Sequence, residues 1–137
     1  MENRKEIGTA LRQAYSAGKD THGALWEAVI ACQGETFHTA SGLPFSYTVR
    51  RKKDGTYSGE LLITRKEGSK TLTRSSVELA FQRVCRDCAD GGLPFYKGPK
   101  AIGQIFGISY VYSLFWAWGL IEVPESVARK LDGGEQP

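Results

Sequence analysis

Three cysteines, two histidines and a crowded set of arginines and lysines are the residues of this chain best equipped for chemistry. Cys85-x-x-Cys88 has the separation at which two thiolates share a zinc ion, and Cys32 with His22 or His38 would complete a Cys3His set. The same two cysteines also fall on the apolar stripe of a helix, beside Phe81 and Val84, and free cysteine is among the most buried residue types. Core packing is therefore the expectation for Cys32, Cys85 and Cys88, zinc is the weaker alternative, and no cofactor is expected. A redox motif of the thioredoxin kind would need an adjoining βαβ pattern, which the chain lacks.

Neither histidine has a nucleophile and a base beside it in sequence. Asp54 and Glu60 lack the following lysine of a metal nuclease, and there is neither a phosphate-binding P-loop nor a dinucleotide glycine fingerprint. No catalytic constellation is visible, so a non-enzymatic protein is expected.

The basic residues are more informative. Between positions 50 and 74 stand eight basic residues (Arg50, Arg51, Lys52, Lys53, Arg65, Lys66, Lys70, Arg74) against three acidic ones. That segment carries +5 of a net charge of +3, leaving −2 for the rest of the chain. A basic block within a slightly acidic protein is the pattern of a localised anion-binding face.

The elements that must position these residues follow from periodicity. Residues 4–17 repeat apolar positions at helical spacing through Ile7, Leu11 and Ala14/Tyr15. A second helix, capped by Asp20 or Thr21, carries Leu25, Trp26, Val29 and Ile30 and stops before Gly34. From Thr36 the period changes to two. Thr36–Thr39 predicts a short strand, Phe45/Tyr47/Val49 a half-buried one, and Asp54-Gly55 a hairpin turn into Tyr57–Arg65. An odd-length loop would set Val49 against Leu61 and Tyr47 against Ile63, which keeps both apolar sets on one face, so that register is expected. Lys70–Thr73 adds a last strand. Ser75-Ser76-Val77-Glu78 then reads as a capping box, with Ser75 as cap, opening a helix over 75–89 with Val77, Ala80, Phe81, Val84, Cys85 and Cys88 on one face. Pro124 precedes a last short helix, Glu125–Leu131.

Ala101–Ile121 holds no charged residue. As a membrane span it is barely long enough and is interrupted by glycines and polar residues, so no membrane partner is expected. It scans like a helix-turn-helix about Gly107, but the second helix would offer Tyr110, Val111, Leu114 and Phe115, which cannot read base edges as arginine or asparagine do. A helix apolar all round and buried on most sides is the preferred reading.

The fold expected is α+β: a small antiparallel β-meander, built of a β-hairpin plus short edge strands, packed against helices. An N-terminal helical pair and a C-terminal apolar helix-turn-helix-like segment complete it. Residues 1–132 form a single globular domain, with 133–137 a frayed tail. The odd cysteine count and the charged N-terminus without an apolar run point to a cytoplasmic setting. The function expected is nucleic-acid binding of a regulatory kind, with the eight basic residues contacting phosphates. The alternative is a protein-binding inhibitor or adaptor of the sort phages and mobile elements make. It would use the hairpin with an exposed aromatic face of Tyr110, Leu114, Phe115 and Trp118, a face through which the chain would also form a homodimer.

Overall fold

The computed structural model describes residues 2–18, 21–88 and 92–133, with the side chains of 2–5 left aside. Within these residues the chain is α+β, a four-stranded antiparallel meander in the order β1-β2-β3-β4 with helices on one face.

β2 (Pro44–Arg51) and β3 (Tyr57–Arg65) form the central hairpin, and β1 (Phe37–His38) and β4 (Gly68–Thr73) are its short edges. Tyr47 stands opposite Ile63 and Val49 opposite Leu61, the register that the apolar alternation demands. Phe37, Phe45, Tyr47, Val49, Leu61, Ile63 and Leu72 consequently share the buried face. The opposite face carries Ser46, Thr48, Leu62, Thr64 and Thr71, half-buried to exposed, as is usual for an antiparallel sheet covered on one side. Past Val49 the register shifts, and Arg51 next pairs with Tyr57, so Arg50 alone stands against Ser58, Gly59 and Glu60. Extra residues on one strand sharpen the local twist and re-aim the strand end, here the hairpin tip.

β1 is too short to satisfy the whole outer edge of β2. The end of the second helix does the rest: Gln33 Oε1 accepts from the Val49 amide at 3.0 Å, and the Gly34 amide donates to the Tyr47 carbonyl at 2.8 Å. That helix, α2 (Thr21–Ala31), buries Leu25, Trp26, Ala28 and Val29, and the Tyr47 hydroxyl donates to the Val29 carbonyl at 2.6 Å. The proposed Asp20 cap lies outside the described residues.

α3 (Arg74–Asp87) covers the sheet with Val77, Ala80, Phe81 and Val84. Its N-cap is Thr73, whose hydroxyl accepts from the Ser76 amide at 3.4 Å, so the helix starts two residues earlier than the Ser75 capping box implied. Glu78 does not reach back to the cap but pairs with Arg74 at 2.8 Å.

The apolar stretch is helical only in part: it opens as a single 3-10 turn, Pro99–Ala101, with no helix between it and Gly107 to make the first half of a helix-turn-helix. Gly107, at φ 76°, turns the chain into α4 (Ile108–Ala117), eight of whose ten residues are buried. Only glycine suits this position twice over, since a Cβ there would also collide with the Leu72 side chain. Ten helical residues span about 15 Å, half the hydrocarbon core of a bilayer. Among the described residues no helix is long and apolar enough to cross a membrane.

α4 is buried because its polar atoms are satisfied from all sides. Ser113 donates to the His38 carbonyl at 2.7 Å, Tyr112 to the Tyr96 carbonyl at 2.8 Å, and the Trp118 indole to the Cys32 sulfur at 3.4 Å. Gly119 closes the helix in a Schellman turn, with the Leu120 amide on the Phe115 carbonyl at 2.9 Å. α1 (Glu2–Ser16) docks on this end: Arg12 donates to the Gly119 carbonyl at 2.8 Å, and Gly8 lies directly against the Trp118 carbonyl. Tyr15, which helical spacing placed on the inner face, is half exposed. α5 (Glu125–Leu131) ends the described fold with Leu131 buried, and the proposed tail from 134 onward lies outside it.

Candidate nucleic-acid interface

The hairpin tip is built by its own side chains. Asp54 Oδ1 accepts from both the amide and the hydroxyl of Thr56, at 2.9 and 2.7 Å. Those bonds hold the Asp54 carboxyl below its ordinary value and occupy the one carboxylate of the turn. The Lys52 amide closes on the Thr56 carbonyl at 2.7 Å, and Gly55 takes the φ of 90° that the turn needs. Arg51 folds back across the Tyr57 ring, 4.2 Å from its centre, and donates to the Gly55 carbonyl and the Tyr57 hydroxyl at 2.7 and 2.8 Å. Arg50 lies 3.5 Å from Glu60 and from the Thr71 hydroxyl. Lys52 and Lys53 stand exposed at the tip.

The other four basic residues do not join this cluster. Arg65 is at the far end of the sheet and is turned to its covered face, donating to the Tyr110 hydroxyl at 3.0 Å and more loosely to the Gly68 carbonyl at 3.4 Å. Lys66 is exposed in the β3–β4 turn beside it. Lys70, on the edge strand, has its ammonium 5.6 Å from the centre of the Phe106 ring. Arg74 belongs to the tip end instead of the far end, because Thr73 pairs with Glu60. It is half-buried and engaged three ways: on Glu78 at 2.8 Å, on the His22 carbonyl at 3.5 Å, and over the Trp26 ring at 5.0 Å. Its visible work is to clamp α3 to α2. The +5 of the sequence is thus divided among a tip, a far turn, a groove and a clamp.

The aromatic surface expected of the last long helix does not exist in this chain. Tyr110, Leu114, Phe115 and Trp118 are all core residues, none more than 7% exposed. Phe45 meets Tyr110 edge-on at 4.9 Å, and Phe115 meets Phe81 edge-on at 6.1 Å. The reason is sidedness. A helix apolar all round buries every face as soon as a sheet, two helices and a loop surround it.

Cys85 and Cys88 are neighbours lining one pocket, Cys85 half-buried and Cys88 exposed rather than packed in the core, while Cys32 is buried elsewhere, under Trp118. Among the described residues no group of three histidine, cysteine or acidic side chains is placed to hold a metal. Burial, reinforced by Cys88, pushes the Cys85 thiol up to about 11. Burial also raises Cys88, with Arg12 opposing it and Asp87 adding to it. Both are therefore thiols near neutral pH, the unreactive form.

One constellation escaped the sequence. Lys97 precedes the 3-10 turn and Lys100 lies within it, and tertiary structure brings both beside Lys70 and the exposed Phe106 to line an open groove of about 600 Å³. In the sequence Lys97-Gly98-Pro99-Lys100 reads only as a turn, and Phe106 is hidden in an apolar run. No local signal ties either to Lys70. Comparison with protein-family models, with curated proteins and with solved structures gives no match.

Proposed function

We propose that this chain is a small regulatory, non-enzymatic nucleic-acid-binding protein that meets backbone phosphates with the tip of its β2–β3 hairpin. The observation that carries this reading is the pair Lys52 and Lys53, exposed on a tip whose own carboxylate is occupied by Thr56. Ammonium groups presented this way release counterions when they meet phosphates and contribute affinity without sequence preference. Lys66 supports a wider footprint. β3 is nine residues long, so tip and far turn are about 30 Å apart, close to one duplex turn of about 34 Å. The face between them is lined largely by hydroxyls. A cytoplasmic setting goes with this reading. The adaptor alternative relied on two surfaces, and with the α4 aromatics buried only the hairpin remains to it.

Anisotropy of a labelled random-sequence duplex tests the proposal. Affinity is expected to fall steeply between about 50 and 200 mM salt, and Lys52→Glu/Lys53→Glu to weaken binding roughly tenfold and flatten the salt slope by about 2. A duplex that fails to bind at the lowest salt, or binds the variant equally well, sinks the hairpin reading.

A further inference from the structure

We propose that the groove beside strand β4 receives an unpaired base of a single-stranded nucleic acid, stacked on Phe106 with its flanking phosphates on Lys70, Lys97 and Lys100. This rests on the nucleic-acid reading above but uses a different surface from the hairpin.

Four observations lead there. The groove's lining includes three lysines and no carboxylate, so its charge complements an anion. Phe106 is 61% exposed, the most of any large apolar side chain among the described residues, although its neighbours Ile105 and Ile108 are buried. The backbone beside it is set: Gly107 lies against Leu72 in a conformation that favours glycine, and the Phe106 ring is part of the groove's lining. Finally, the Lys70 ammonium stands over one face of the ring, 5.6 Å from its centre, so a base stacks on the other face or displaces the ammonium towards the adjoining phosphate.

The combination selects the ligand. Lysines alone would suit any anion, but every nucleobase offers a flat π-face, and aromatic stacking with a basic track is how single strands are held without sequence preference. Bases within a duplex are already stacked on each other and cannot reach such a ring. Lysine, a compact charge on a flexible stem, tolerates the varied phosphate positions of a single strand. Tyr110, also at the groove, is committed elsewhere: its ring is buried and its hydroxyl is held by Arg65. A lysine on an edge strand also discourages pairing with other chains, a role that needs no aromatic neighbour.

The test is anisotropy with labelled oligo(dT) of about 15 nucleotides run beside a duplex, with circular dichroism confirming that each variant is folded. Phe106→Ala is expected to weaken oligo(dT) binding roughly five- to a hundredfold while leaving the duplex affinity in place, and Phe106→Trp to restore it. Lys97→Ala/Lys100→Ala should lower the oligo(dT) salt slope by about 1.4. An oligo(dT) affinity indifferent to Phe106→Ala overturns the groove, as does a wild-type protein that ignores oligo(dT) at low salt. Poly-glutamate bound as tightly as oligo(dT) overturns it too, in favour of an acidic protein. The hairpin variant keeps the two proposals apart. Duplex binding lost in Lys52→Glu/Lys53→Glu, with Phe106→Ala silent on oligo(dT), leaves the hairpin and removes the groove; the reverse result removes the hairpin and leaves the groove.

Discussion

The Arg51 guanidinium lies across the ring of Tyr57, its partner on the opposite strand, and donates to that residue's hydroxyl at 2.8 Å. The contact joins the two strands just below the tip, so Arg51 serves as a latch as well as a charge. Arg51→Ala should therefore loosen residues 52–56, seen as faster amide exchange at Thr56, and Tyr57→Ala should do the same without changing the charge. Equal protection in wild type and both variants would show that the latch is idle. Lys52 and Lys53 are for this reason the cleaner charges to reverse.

Gly8 tests the docking of α1. A methyl group there would meet the Trp118 carbonyl, a backbone atom with no rotamer to yield. Gly8→Ala would gain about 1 kcal/mol by helix propensity alone. The overpacked contact costs about 1–3 kcal/mol, which offsets that gain and predicts a net loss of up to about 2 kcal/mol in urea denaturation. A raised unfolding midpoint would mean that α1 does not sit on the end of α4.

Thr73 and Ser75 separate the two possible starts of α3. With Thr73 as the cap, Thr73→Ala should cost about 1 kcal/mol, and Ser75→Ala should stay within about 0.5 kcal/mol. The opposite ranking in chemical denaturation would move the cap to Ser75.

Phe81 is 3% exposed and meets Phe115 edge-on. Phe81→Ala is expected to cost about 3–5 kcal/mol, whereas Leu79→Ala, on the exposed side of the same helix, should cost under about 0.5 kcal/mol. Similar losses at the two positions would place the wrong face of α3 on the sheet.

Cys85 gives a pH signature. Its folded-state value of about 11 lies above the ordinary thiol value of about 8.5. The folded state thus holds the proton more tightly, and this contribution to stability is complete below about pH 8.5 and is lost as pH rises through about 11. In a Cys88→Ser variant, which keeps the burial but loses the contribution of Cys88, alkylation of native Cys85 should have its midpoint below about 11 and still above the ordinary thiol value. A midpoint near the ordinary thiol value would contradict the burial of this side chain.

The interior of the meander was legible without the structure because sheet periodicity is local. With Asp54-Gly55 turning the chain, the alternating Phe45/Tyr47/Val49 and Leu61/Ile63 sets share one face only when an odd-length loop joins them, as in the register observed, because a one-residue slip would send one set to the other face. The apolar stripe of α3 was legible for the same reason, since Val77, Ala80, Phe81 and Val84 repeat at the helical period. Its start was not. Thr73, Ser75 and Ser76 are all competent caps, and the ladder that runs on to the pairing of Thr73 with Glu60 decides where the strand ends and the helix begins.

What the sequence determined by itself, then, is the order of the strands and main helices and the apolar faces of β2, β3 and the body of α3, because these depend on neighbours in the chain. Tertiary structure alone decided what was free to act. Eight basic residues give the same local charge in any fold, but only long-range packing sets Arg74 on Glu78 and Trp26, turns Arg65 to Tyr110, and leaves Lys52 and Lys53 exposed. The same packing closes every approach to Trp118 while leaving Phe106, twelve residues earlier in one apolar run, in the open beside three lysines. Burial depends on what surrounds a side chain from every direction, and the linear pattern specifies one direction only.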